Sequence, residues 1–409
     1  MLGHALVEHI PASPAGALLG LFLVAVIADR WPSPSASRQG PGAAREVPPG
    51  LALDSWAGRL SPAQMATRAL AVGIAGLAVV AGRVGSEDQL RNIAPALVVG
   101  AGWPLLILGS LALGPVWRWL DPWDGVGRAL GLREVAPQTL APSSEHVWPA
   151  LAPALLWRWY LGAYADALSP RAVGGAMGVY SIVTVAGCLA FGRVAWLSRA
   201  EVFGLLFGWA ARLRRGRLVS WTPPAGAEAV LGALAGGLLF GVVRRSSLWG
   251  TLNVVPLSTL YATAGVVVAC ALGAGTVVAL ERWARRLGAA GSVAAAVVPA
   301  VAAVIIGVAM ARNRLLTSVQ LLPVLASDPF GAGWDLFGTA EWAIQPDPIG
   351  DGGRALVQAL ALVAGHGLGA VVLGRRVRRE VRLPAALALS ALLASSALAL
   401  ALALALSLR

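Results

Sequence analysis

The chain has 409 residues, of which 57% are hydrophobic and only 13% charged, with a formal net charge of +12. A soluble domain carries about a quarter charged residues, so this balance argues against an ordinary globular domain and for a membrane. The positive excess does not mark a nucleic-acid binder: all 32 basic residues are arginine, clustered beside the ends of apolar runs, where a membrane protein uses them for orientation.

A spanning helix needs roughly 20 apolar residues, because each residue rises about 1.5 Å across a ~30 Å hydrocarbon core. On that rule the sequence predicts ten spans, near 14–30, 65–82, 93–114, 147–167, 172–192, 226–243, 255–280, 290–311, 354–374 and 384–408. The first resembles a signal peptide in length. Its leader MLGHALVEHIPASP has no basic residue, however, and Arg30, Arg38 and Arg45 follow the run, which favours an uncleaved anchor. The fourth contains Arg158 and Asp166. The preferred reading has both charges snorkelling to the interface; the alternative has Arg158 facing the bundle interior. The last alternates Leu with Ala, but a lone strand of that length could not satisfy its backbone in lipid, so helix wins. The predicted fold class is an all-α, polytopic transmembrane bundle forming a single integral domain.

The connections after the first, third, fifth, seventh and ninth spans hold 22 of the arginines, and the remaining 10 lie on the other side or at the termini. That bias makes the first set cytoplasmic and leaves both termini, and the 312–353 loop, outside the bacterial inner membrane. Two cytoplasmic connections read as membrane-associated. In 199–217, Val202, Leu206, Trp209 and Leu213 share a helical face, with Arg212, Arg214 and Arg215 at its end. That pattern suits an interfacial amphipathic helix, the alternative being a continuation of the fifth span. Trp117, Trp119 and Trp123 read as headgroup-depth anchors, with substrate stacking as the alternative.

Catalytic signatures are missing. There is no CxxC, HExxH, GxxxxGK[ST] or GxSxG, and Cys188 and Cys270 fall in apolar runs as small hydrophobes. No metal site or cofactor is predicted. The polar interest lies outside, in SDPFGAGWDLFGT at 327–339. Phe330, Trp334, Leu336 and Phe337 are too apolar for a loose loop, and Gly331, Gly333 and Gly338 suggest special backbone angles. The expectation is a compact re-entrant or capping element over the outer mouth. Asp328, before Pro329, is a turn former or a ligand group; Asp335 beside Trp334 is the better candidate contact. Other groups that could converge there are His4 and His9, Glu87, Asp88 and Asn92, and Arg244 with Arg245. His366 lies within a span between two glycines, a position suited to an interhelical hydrogen bond or, more sharply, to a proton relay or metal. The candidate ligand-binding set is therefore His4, Asn92, Asp328, Trp334, Asp335 and His366.

The strings SDPFGAGWDLFGTA, GHGLGAVVL, IAPALVVGAGWPLLILGSLALGPVWRWLDPWDGVGRA and EVFGLLFGWAARL together resemble a family of actinobacterial multi-pass membrane proteins, some labelled fenitrothion hydrolase. The resemblance covers most of the chain. It implies that His4, Asn92, Asp328, Asp335 and His366 are retained family positions. Others depart: the chain reads VVRRSS at 242–247 where members often have Ser-Phe-Asp-Gly, and it lacks a His near Val308 and acids near Trp159 and Val194. The departures imply a diverged relative with a binding or structural role. Three functions follow as expectations: a transporter-like or accessory protein with a polar outer pocket under the 327–339 loop, a membrane-embedded hydrolase of small esters, or a structural subunit of a membrane complex. The implied partners are the lipid bilayer and, in the third case, other membrane subunits.

Overall fold

Ser61 and Ser169 each precede a proline and begin a long helix in the same way. Ser61 Oγ accepts from the Gln64 amide at 3.3 Å while Gln64 Oε1 accepts from the Ser61 amide at 3.0 Å, and Ser169 Oγ accepts from Ala172. The hydroxyl satisfies an orphan amide, and the proline lacks the N–H that would otherwise be left over. In this computed structural model, residues 59–134, 146–244, 249, 258–310 and 314–380 are described. The expected spans at 14–30 and 384–408, and His4, lie outside the described residues.

The helices are α1 (Pro62–Val84), α2 (Ile93–Leu113), α3 (Trp117–Leu120), α4 (Pro122–Ala129), α5 (Leu151–Gly162), α6 (Pro170–Phe191), α7 (Arg193–Arg199), α8 (Val202–Ala211), α9 (Ala227–Val243), α10 (Ser258–Arg286), α11 (Ser292–Met310), α12 (Arg314–Ser327) and α13 (Gly350–Glu380). No strand occurs among the described residues. Six helices are long and apolar enough to cross a membrane: α1, α2, α6, α10, α11 and α13. The expected spans at 147–167 and 226–243 contain the shorter α5 and α9, of 12 and 17 residues.

Glycine sets how these helices meet. A Cβ added at Gly82 of α1 would lie 2.8 Å from Gly174 Cα of α6, and one at Gly232 of α9 would lie 2.8 Å from Ala274 Cα of α10. One at Gly369 of α13 would lie 2.5 Å from the Ala296 carbonyl of α11. Small residues let backbones touch where lipid offers no hydrophobic driving force between helices. These glycine stripes are therefore occupied by the chain's own helices. The central helix is α11, with 83% of its apolar window buried, against 17% for α10 at the periphery. Large apolar side chains stay exposed on the outer faces, among them Leu70, Ile74, Val179, Ile182, Val268 and Leu272, the surface a bilayer would cover.

Three expectations need correction. The segment at 199–217 contains α8, in which eight of ten residues are buried; it packs among protein helices instead of lying on a lipid surface. Trp117 and Trp123 are core residues, 8% and 4% exposed, and only Trp119 faces out. Arg158 does not snorkel: it is 4% exposed, inside the bundle.

Helix ends sort into two groups. At one end the Ser86 amide donates to the Phe330 carbonyl and the Ile93 amide to Pro329, Arg171 pairs with Glu87, and Arg244 reaches the Gly162 carbonyl at the end of α5. At the opposite end Arg376 of α13 donates to the carbonyls of Leu218, Val219 and Trp221, and Glu281 of α10 accepts from the Val293 and Ala294 amides that begin α11, both at 3.1 Å. Carboxylates at helix starts and guanidinium groups at helix ends satisfy orphan backbone groups and suit the helix dipole.

Candidate functional site

A cavity of about 370 Å³ opens among α2, α5, α9 and α11, at the end where Arg244 caps α5. Its size falls within the roughly 300–1,000 Å³ of small-molecule sites. Apolar walls come from Val99, Leu161, Leu238, Ile305 and Val308, and its charges are Arg158, Arg244 and Arg314 against Asp166. Asp166 is exposed, whereas Arg158 lies deep.

The sequence builds a berth for Arg158. Gly237 and Gly241, four apart, share a face of α9. A Cβ at Gly237 would lie 2.7 Å from Arg158 Cγ, and one at Gly241 would lie 3.6 Å from Nη2. The two glycines thus make room for the arginine stem and its head, and Nη2 donates to the Gly237 carbonyl at 2.8 Å. Arg244 follows Gly241 by three residues and also lines the cavity.

Trp103 of α2 forms part of the wall. Pro104 has no N–H and crowds the carbonyl four residues earlier; the turn before it, Ala96–Gly102, is widened into a π-helix, a device found often at functional sites. Ser318 of α12 sits against Gly100 of that turn. Trp103 stands edge-on to Trp157 and Phe203, at 5.3 and 6.1 Å between ring centres. It is 8% exposed, and its indole N–H has no partner within the protein.

A second buried polar cluster occupies the opposite end. Asp124 of α4 is fully buried and bonds Arg68, Arg128 and Arg193; Arg193 also reaches Glu134 at 3.1 Å. Asp121 caps α4 through the Trp123 and Asp124 amides. Close by, Glu201 caps α8 through Phe203 and Gly204 and accepts from the Tyr180 hydroxyl at 2.7 Å. Burial and then the nearby Asp121 charge push the Glu201 carboxyl up to about 8. This cluster ties α1, α4 and α7 together around one shared carboxylate.

Of the expected ligand residues, His4 lies outside the described residues, and Asn92, Asp328, Trp334, Asp335 and His366 do not line the cavity. Asn92 is buried and caps α2: Nδ2 donates to Ala81 and Ser86 carbonyls, both at 2.8 Å, and Oδ1 accepts from Ala94. Asp328 is a turn former, accepting from Ala332 and Gly333. Asp335 is exposed and accepts from the Ala340 amide at 3.1 Å, which holds its carboxyl below its usual value. Gly331, Gly333 and Gly338 all take positive φ, as the loop's glycines suggested. Yet Trp334, Leu336 and Phe337 are 47%, 60% and 71% exposed, so the loop leans on the 86–93 turn and turns its apolar side chains outward. No residue of 327–339 lines this cavity. His366 bonds its own helix, at the Leu362 carbonyl, 2.8 Å away, not a neighbouring one. Among the described residues no group of three or more His, Cys, Asp or Glu could hold a metal ion.

Sequence reasoning passed over Trp103, Arg314 and the Gly237–Gly241 pair. The one available signal was an arginine and an aspartate eight apart in an apolar run. Comparison with family models, with curated proteins and with solved structures returns no match.

Proposed function

We propose that this chain is a multi-pass inner-membrane protein that binds a small ligand in the arginine-lined cavity, from the extracytoplasmic side, in a transporter-like or accessory role. The observation that carries the reading is Arg158: a charge inside a bundle is costly and marks a functional position by default, and here it borders a cavity of ligand size. The outward orientation rests on the arginine bias of 22 to 10. Alternation of helix ends supports eight crossings among the described residues, with α5 and α9 completing the bundle beside the six long helices. Ten crossings, with both termini outside, follow if 14–30 and 384–408 also span. The cavity includes Val308 and Arg244, positions at or beside which the chain departs from the family it resembles, in keeping with a binding role that has diverged.

Thiol labelling tests the reading. Cys188 and Cys270 are both buried and free, so they give little background. Tyr164 lines the cavity and is 39% exposed. Tyr164→Cys in intact cells is expected to react with a membrane-impermeant maleimide. Reaction only after lysis would overturn the outward orientation.

A further inference from the structure

We infer that residues 334–349 dock on the lipid leaflet at their own end of the bundle, with Trp334, Leu336, Phe337, Trp342 and Ile349 at headgroup depth. This docking is independent of the cavity and needs only that the long apolar helices cross a bilayer. All five side chains are exposed, Trp342 at 59% and Phe337 at 71%. Looseness does not account for it, because the backbone beneath them is tied down. Asp328 accepts from the Ala332 and Gly333 amides, Ser327 Oγ from those of Phe337 and Thr339, and Asp335 from that of Ala340. A hydrogen-bonded loop that presents this much apolar surface marks an interaction site.

The depth of the loop follows from α12. Leu315 clusters with Ala101 of α2, Ser318 sits against Gly100, and Leu325 clusters with Ile93. So α12 runs antiparallel to the first turns of a membrane-length helix and ends where that helix begins. The chain then turns back down α12. The Leu336 amide donates to the Ser327 carbonyl at 3.1 Å, Thr339 Oγ1 to that of Pro323 at 2.5 Å, and the Gln345 amide to Gln320 Oε1 at 2.8 Å. From Ser327 to Gln320 a helix spans about 10 Å, so Trp342, between Thr339 and Gln345, lies beside α12 and not above it. Ile349 leads into α13, another membrane-length helix, where Leu356, Val357 and Leu360 stay exposed. The apolar surface of the loop therefore continues into the side that a bilayer covers. An ion cluster of Asp347, Arg354 and Asp351 stands at the start of α13, a polar edge that headgroups solvate. Aromatic rings among glycines and acids suit that depth and are too polar for the hydrocarbon centre. Asp328 and Asp335 hold the loop's own amides, so the leaflet is met by apolar area, and a zwitterionic one serves. Trp117 and Trp123, the anchors the sequence offered, are buried; this loop takes their place.

The test uses the whole protein in nanodiscs of zwitterionic lipid. Cys188 and Cys270 are buried, so Phe337→Cys, Trp342→Cys and, for comparison, Asp88→Cys each take an environment-sensitive fluorophore with little background. All three positions are exposed, so none of the substitutions empties the core. Asp88 belongs to the turn that precedes α2 and is expected to face water. Labels at 337 and 342 are expected to emit to the blue of the label at 88 and to resist iodide, a water-borne quencher. They should instead be quenched by lipids spin-labelled near the top of the acyl chain, the layer about 5–10 Å deep that interfacial side chains reach. Iodide quenching at 337 and 342 as strong as at 88, with no quenching from lipid, would overturn the docking. Protection from both quenchers would overturn it as well, since a second copy, a partner protein or another segment of this chain would then cover the loop. Failure of Tyr164→Cys to label from outside would leave the docking intact and move it to the inner leaflet.

Discussion

The two ends of the bundle use the same residue in opposite ways. At one end Arg68, Arg128 and Arg193 converge on a buried carboxylate, Asp124, and Arg285 lies between Glu228 and Glu281. At the other end Arg158, Arg244 and Arg314 line a cavity, with the exposed Asp166 as the one acid among its described lining residues. Desolvating a charge costs several kcal/mol unless a partner replaces the water. The first end meets that cost with acids from its own connections. The second leaves open space beside its arginines.

Breaking the neutralised end should give the largest effect. Asp124→Leu leaves Arg68 and Arg193, each about 2% exposed or less, buried around an apolar side chain. Removing one partner of a buried charge network costs about 3–5 kcal/mol, enough to lose most folded protein in a detergent melt monitored by size exclusion. Arg244→Gln, measured alongside, should lower the melting temperature by less, since the half-buried side chain gives up chiefly its hydrogen bond to Gly162, worth about 1.5–3 kcal/mol for a charged donor. Equal destabilisation by the two substitutions would erase the distinction between the ends.

How much of this was legible follows from what hydropathy measures. Eight of the ten predicted runs fall on α1, α2, α5, α6, α9, α10, α11 and α13, because an uncharged run longer than a bilayer is deep has few alternatives to helix. The positions of polar groups were less legible. Helices such as α9 and α11 are apolar on every side, so no stripe distinguishes the face that meets protein from the face that meets lipid. Nothing in WRWY signals that Arg158 rests on Gly237 and Gly241, about 80 residues away. Trp117 and Trp123 read as anchors because tryptophan favours interfaces, yet here they pack on Phe207 and Tyr180. The 327–339 loop drew attention by its acids, and those acids bond their own backbone.

A middle-sized effect sharpens the comparison through pH. Glu201 is raised from 4.5 to about 8 by burial and by Asp121. Folding therefore favours its protonated form. Its contribution to stability is complete below about 4.5 and is lost as pH rises through about 8. The melting temperature of the purified protein should fall over that window, and Glu201→Gln should flatten the slope. A slope that survives in Glu201→Gln would assign the pH dependence elsewhere.

The smallest effect is expected where the sequence looked most eventful. Asp335 is exposed, accepts a backbone bond from Ala340 and lies outside the cavity lining. Asp335→Ala should therefore leave ligand affinity at the cavity unchanged. The loop keeps its other ties in that variant: Ser327 Oγ accepts from the Phe337 and Thr339 amides, and Asp328 holds Ala332 and Gly333. A tenfold loss of affinity in Asp335→Ala would mean that the loop closes over the cavity when ligand binds, bringing the carboxylate's hydrogen-bonded turn to the mouth.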